Sequence, residues 1–167
     1  LQKQKVYNLM LQRIQTLLLA IVAIAMLSVT ALPIWEKSSA ALNEKVTLTS
    51  FALEHCKGTT CVSSDSTIFI IMLAIVSAVL AAFSITQYKK RMLQMTLGLV
   101  NSIMIATVLG YTFYQVFKVG IPMFEPENQG SYGAGFIAAV LAMLCNMIAN
   151  RFIRRDEMLV KSADRMR

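Results

Sequence analysis

The sequence predicts an all-α membrane protein with four transmembrane helices, both termini cytosolic, and a small β-hairpin-like first outer loop. Three observations carry that prediction. Of the 167 residues, 56% are apolar and the mean hydropathy is +0.59, above the roughly 45–50% apolar content of soluble domains. Four stretches reach the ~20 residues that cross a bilayer, and none carries Asp, Glu, Lys or Arg in its interior. The basic residues are also divided unequally between the connecting segments, which sets orientation.

Residues 1–14 form a short polar cytosolic arm, and the membrane domain covers 15–153. The first helix, about 15–35, is longer than the roughly 7–15 residues of a signal-peptide core, so an uncleaved span is expected. Pro33 falls in its last turn, where a missing N–H costs little, and Trp35, Glu36 and Lys37 reach the headgroups. The outer loop 36–67 is the one connection large enough for soluble structure. Its "KVTLTSFALE" alternates and reads as one strand, with the Lys57-Gly58-Thr59-Thr60 turn leading to Cys61-Val62 as hairpin partner. Helices at about 68–88 and 93–117 form an antiparallel pair. The second outer loop, 118–131, precedes a fourth helix at about 132–153, and 154–167 make a basic amphipathic cytosolic tail.

Of the 16 Lys and Arg residues, twelve lie in the termini and the "YKKR" turn, and only Lys37, Lys45, Lys57 and Lys118 lie in the two outer loops. Six of the 9 acidic residues fall in those loops. The positive side is the cytosolic side, so both termini are expected in the cytosol with the loops 36–67 and 118–131 outward. A net charge of +7 does not point to nucleic acid. The one basic cluster beside an aromatic, Tyr88-Lys89-Lys90-Arg91, abuts a hydrophobic span.

Helix three carries Gln94, Gly98, Asn101, Thr112 and Gln115 on one face, and helix four a matching stripe of Gly135, Ala139, Ala142, Asn146 and Ala149. Small residues let membrane helices approach closely and amides bond across the contact. Gly98, Asn101, Gly135, Ala139, Ala142 and Asn146 are therefore the candidate packing residues. No span holds the carboxylate, Arg or His in its interior that an ion or proton path would favour.

Cys56 and Cys61 are the only outer cysteines, and Cys145 lies in helix four. An exposed pair on an oxidising face is expected as a disulfide, and the spacing suits a hairpin end if the Cα atoms come within about 7 Å. A structural staple is favoured over a redox pair. His55 reads as a solvated loop residue, and with two cysteines it lacks a fourth metal ligand. Glu125 and Glu127, flanking Pro126, read as a solvated turn. His55, Ser63, Ser64 and Asp65 form a triad in composition only. No catalytic site, cofactor or metal is expected.

In the tail "RFIRRDEMLVKSADRMR", Ile153, Leu159, Val160, Ala163 and Met166 share one helical face. Arg151, Arg154, Arg155, Asp156, Glu157, Lys161, Asp164 and Arg165 are candidates for contact with anionic lipid or a cytosolic partner. From Met10 onward, "MLQRIQTLLLA" and the terminal "RRDEMLVKSADRMR" resemble a family of short four-helix inner-membrane proteins of Bacteroidota-type bacteria, catalogued as a domain of unknown function. The resemblance takes Met10 as the family's usual start, and it implies architecture and membrane location but no activity. The expected role is a non-catalytic accessory subunit or assembly factor, packed in a larger membrane complex and surrounded by lipid. A homo-oligomeric transporter or channel lined by Gln94, Asn101 and Gln115 is the alternative, and a thiol oxidoreductase ranks below it.

Overall fold

The computed structural model describes residues 2–58, 60–87 and 90–165, with side chains for 13–58, 60–61, 65–87, 90–155 and 157–158. Four helices form the body: α1 (Gln2–Ala31), α2 (Ile68–Thr86), α3 (Arg91–Gln115) and α4 (Ala134–Arg165). Each contains a segment long and apolar enough to cross a membrane. They pack as a ring, α1 against α2 and α4, and α3 against the same two. Between them run five strands: β1 (Trp35–Ser39), β2 (Glu44–Leu48), β3 (Ala52–Lys57), β4 (Thr60–Ser66) and β5 (Ser131–Tyr132). The strands make one antiparallel sheet in the order β4-β3-β2-β1-β5 across one end of the bundle.

The first loop is therefore more ordered than a hairpin. The stretch read as one strand is two, because Thr49, Ser50 and Phe51 turn the chain. The Thr49 N–H donates to Ala52 O at 3.0 Å, and the Ser50 hydroxyl donates to Thr30 O at 2.9 Å, fastening the turn to the end of α1. Alternation survives on either side of the turn: Val46, Leu48 and Leu53 are buried and continuous with Trp35, Val29 and Ile70 in a core spanning sheet and bundle.

The first helix ends earlier than expected. Pro33 lies beyond it, and Trp35 opens β1 instead of closing a span. The residue before a proline is pushed out of the helical region, so Leu32-Pro33 stops α1 in place of riding in its last turn. Tyr132 likewise belongs to β5, pairing with Trp35, and α4 starts at Ala134. The second loop thereby contributes an edge strand that its own sequence does not announce. At the opposite, far end, neither terminal segment is a separate element. The arm continues the backbone of α1 from Gln2, and the tail continues α4 to Arg165.

Candidate functional site

The bundle interior is polar along one seam. Every three or four residues α3 buries a residue: Gln94, Gly98, Asn101, Ile105, Val108, Thr112 and Gln115. From α4, Gly135, Ala139, Ala142, Asn146 and Ala149 are buried. The two predicted stripes thus both lie on inward faces. Ser77 of α2 donates to Asn101 Oδ1 at 2.7 Å, and Asn101 Nδ2 reaches Asn146 Oδ1 at 3.4 Å. Asn146 Nδ2 donates to Gly98 O at 3.0 Å and to Ser102 Oγ at 2.8 Å, and Asn150 Nδ2 reaches the same hydroxyl at 3.3 Å. Three helices are joined by one amide and hydroxyl chain.

Gly98 makes this possible: a Cβ there would collide with the Asn150 amide. Gly135 plays a comparable part near the sheet, where its N–H donates to Pro33 O at 2.9 Å and a Cβ would sit 2.8 Å from Leu32 O. The polar chain is incomplete at both ends: near the sheet Gln115 Oε1 is buried without a hydrogen-bond partner among the described residues, and farther in three more atoms are. Gln15 Nε2, Ser84 Oγ and Asn150 Oδ1 are buried without a hydrogen-bond partner among the described residues. Each lies about sixteen residues from the sheet-side end of its helix, which places all three at one level, about 24 Å into the bundle.

The basic residues on α4 lie beyond that level. Arg151, Arg154 and Arg155 are exposed and Glu157 is partly buried. Asp156, Lys161, Asp164 and Arg165 continue the helical backbone, and their side chains lie outside the described residues, as do those of Ser63 and Ser64.

The sheet end is closed by groups that sequence reasoning assigned to water or headgroups. Lys37 is only 1% exposed. Its ammonium donates to the carbonyls of Ile121 (2.9 Å), Phe124 and Glu125 (3.0 Å), at the end of a π turn (Val116–Gly120) and a 3-10 turn (Ile121–Met123) that follow α3. The Phe124 ring lies 4.6 Å from the same ammonium, a favourable face for a cation. Burial pushes the Lys37 amine below its ordinary 10.5, and Glu125 opposes that shift. The Glu125 carboxylate accepts from Ser39 Oγ at 2.8 Å, so this exposed residue of the turn is a tether as well. Trp35 Nε1 donates to Gln129 O at 3.1 Å. Through these bonds β1 holds the second loop.

His55 is a strand residue, not a solvated loop residue. Its ring stacks on Phe124 with centroids 5.9 Å apart, and Nε2 meets Glu44 Oε2 at 3.2 Å. Lys57 Nζ lies 2.9 Å from the other Glu44 oxygen, and that hydrogen bond leads in holding the Glu44 carboxyl below its ordinary 4.5, with burial opposing and His55 assisting. Cys56 and Cys61 face each other across β3 and β4 as a disulfide, Cα atoms 3.9 Å apart, closed by a turn containing Gly58 at φ +60°. Among the described residues no three His, Cys, Asp or Glu side chains come together as metal ligands.

Over residues 11–166 the sequence matches the family described as Domain of unknown function (DUF4293). The chain belongs to this family. No curated protein matches it. The match takes in all four helices from residue 11, the sheet, and the Arg151–Arg155 end of α4, so the polar seam and the sheet clamp both lie inside the family region.

Proposed function

We propose that this chain is a non-catalytic accessory subunit or assembly factor of a larger complex in a bacterial inner membrane. Its termini lie in the cytosol, and its disulfide-bearing sheet lies on the outer, oxidising side. The observation that carries the reading is where polar and apolar groups sit. The polar side chains of α2, α3 and α4 are used on one another inside the bundle, while large apolar side chains such as Ile24, Val79, Ile103 and Ile137 face outward on all four helices. Packing and small-residue contact drive association between membrane helices, and those outward faces are the surface available for it. Purification of the tagged chain from its native membrane in mild detergent should bring down a stoichiometric membrane partner. A lone monomer under those conditions counts against the reading. Alkaline phosphatase fused after Arg167 should be inactive, and active when inserted at Gly58.

A second reading, passage of a small polar solute, draws on the interior amide chain. Gln94, Asn101 and Gln115, the lining of the alternative weighed from the sequence, are buried within one chain, which favours a path through the single bundle over one between copies. A route would run inside the single bundle. Liposomes carrying the wild type should then show flux that Asn101→Leu abolishes, and equal flux from the two would sink this reading.

A further inference from the structure

We propose that the far end of α4 holds an anionic phospholipid, with its phosphate on Arg151, Arg154 and Arg155 and its acyl chains in two grooves flanking the helix. The larger groove, about 680 Å³, lies between α3 and α4 and is walled by Met95, Leu99, Met147 and Met158. The three arginines close one side of it. The smaller, about 300 Å³, is walled by Ile148 and Phe152 and shares Arg151 and Arg155 with the first. On a helix, positions three and four apart share a face, so these arginines form one cationic patch between two apolar troughs.

Three features select the ligand. The patch lies at the end of the 134–155 segment that is long and apolar enough to cross a membrane, where headgroups are met. None of the three arginines pairs with a carboxylate among the described residues, and guanidinium groups match phosphate oxygens in a planar fork. The troughs beside them are lined by methionine, leucine, isoleucine and phenylalanine, which a free phosphate would leave bare and acyl chains would cover. Methionine, unbranched and flexible, adapts to such chains. Basic pockets between membrane helices on the cytoplasmic side take anionic headgroups by this combination. The inference rests on the membrane placement in the proposed reading and not on the accessory role, so failure to find a protein partner leaves it intact.

The test uses the full chain, delipidated in detergent and titrated with dioleoyl-phosphatidylglycerol, dioleoyl-phosphatidylcholine or inorganic phosphate, with binding read by native mass spectrometry. The wild type should prefer phosphatidylglycerol over phosphatidylcholine by about tenfold or more, and inorganic phosphate should not displace it. Arg151→Gln with Arg155→Gln should lose that preference. Met147→Trp, which fills the larger groove and leaves the charges in place, should weaken binding of both lipids. Lys118→Gln, in the π turn at the opposite end, should change nothing. Equal binding of the two lipids, a preference that survives the arginine substitutions, or displacement by phosphate would each overturn the proposal. If the arginine variant fails to fold, undiminished binding by Met147→Trp overturns it alone.

Discussion

Lys37→Met tests whether the sheet end is held by one buried ammonium. Methionine keeps most of the volume and removes all three donors. Glu125 O retains a second donor, the Asn128 N–H at 2.9 Å, but the carbonyls of Ile121 and Phe124 lose the Lys37 N–H groups. Leaving a buried acceptor short of a donor costs about 1–3 kcal/mol, and the variant also gives up the Phe124 cation contact, about 0.5–2 kcal/mol. Releasing the ammonium from its own desolvation offsets part of this. A net loss of about 2–3 kcal/mol is expected. The single Trp35, 0% exposed and bonded to Gln129 O, reports on this region. Its emission should shift to longer wavelength and its thermal transition fall by about 5–10 °C.

Titration adds a second arm to this test. The folded-state amine lies below its ordinary 10.5 because of burial, so between that lowered value and 10.5 the unfolded chain binds more protons than the folded one. Stability must then rise with pH across that window, and the Lys37→Met variant should lack the rise. An unchanged Trp35 transition and the same pH slope in the variant would refute the clamp.

Further substitutions probe the other contacts. Gly98→Ala forces the Asn150 amide aside and should destabilise the helix bundle by about 1 kcal/mol, whereas Gly110→Ala, with nothing within 4 Å of the new Cβ, should be neutral; adding Asn150→Ala should recover most of the Gly98→Ala loss in a double-mutant cycle. Asn146→Leu removes bonds to Gly98 and Ser102 and should lower resistance to detergent unfolding by about 1–2 kcal/mol. Replacing Cys56 and Cys61 with Ser should cost about 2 kcal/mol, the closure entropy of so short a loop, with the loss confined to hydrogen-exchange protection in β3 and β4; an altered growth phenotype with folding intact would favour the redox reading. Glu44 has a folded-state carboxyl below 4.5, so its contribution is present above 4.5 and lost as pH falls through the lowered value; hydrogen exchange in β2 and β3 should accelerate there, and Glu44→Gln should remove that dependence.

The helices were legible because length and composition decide them, and the buried seam because Gln94, Gly98, Asn101, Thr112 and Gln115 recur at helical spacing. The sheet was only half legible. Val46, Leu48 and Leu53 carried strand alternation, but Thr49 and Ser50 are common strand and turn residues alike, and their turn depends on Thr30 O, nineteen or twenty residues away. Lys37 was hidden for a different reason. A lysine beside Trp35 at a span end is what a headgroup contact looks like, and only the three carbonyls supplied 84 to 88 residues later show that it is buried. Asn150, four residues beyond Asn146 on α4, was the available signal for the lower part of the polar chain. Gln15 and Ser84 had none, since a single polar residue near a helix end is ordinary.

The two ends of the bundle differ in how many buried polar atoms they leave unpaired. At the sheet end Lys37, Trp35, Ser39 and Ser50 each find backbone or side-chain partners from distant segments, and a disulfide and paired strands add to them. Gln115 Oε1 on α3 is unpaired there, and at the far end Gln15 Nε2, Ser84 Oγ and Asn150 Oδ1 have no partner among the described residues. An unpaired buried polar atom costs free energy that a small displacement or a new contact can recover, and the far end holds three such atoms against one at the sheet end. Asn150 joins the two regions, since it lines the larger groove beside the arginines and also bonds Ser102 in the interior chain. Occupancy of the groove is therefore expected to act on the interior seam first, through Asn150, and to leave the environment of Trp35 unchanged.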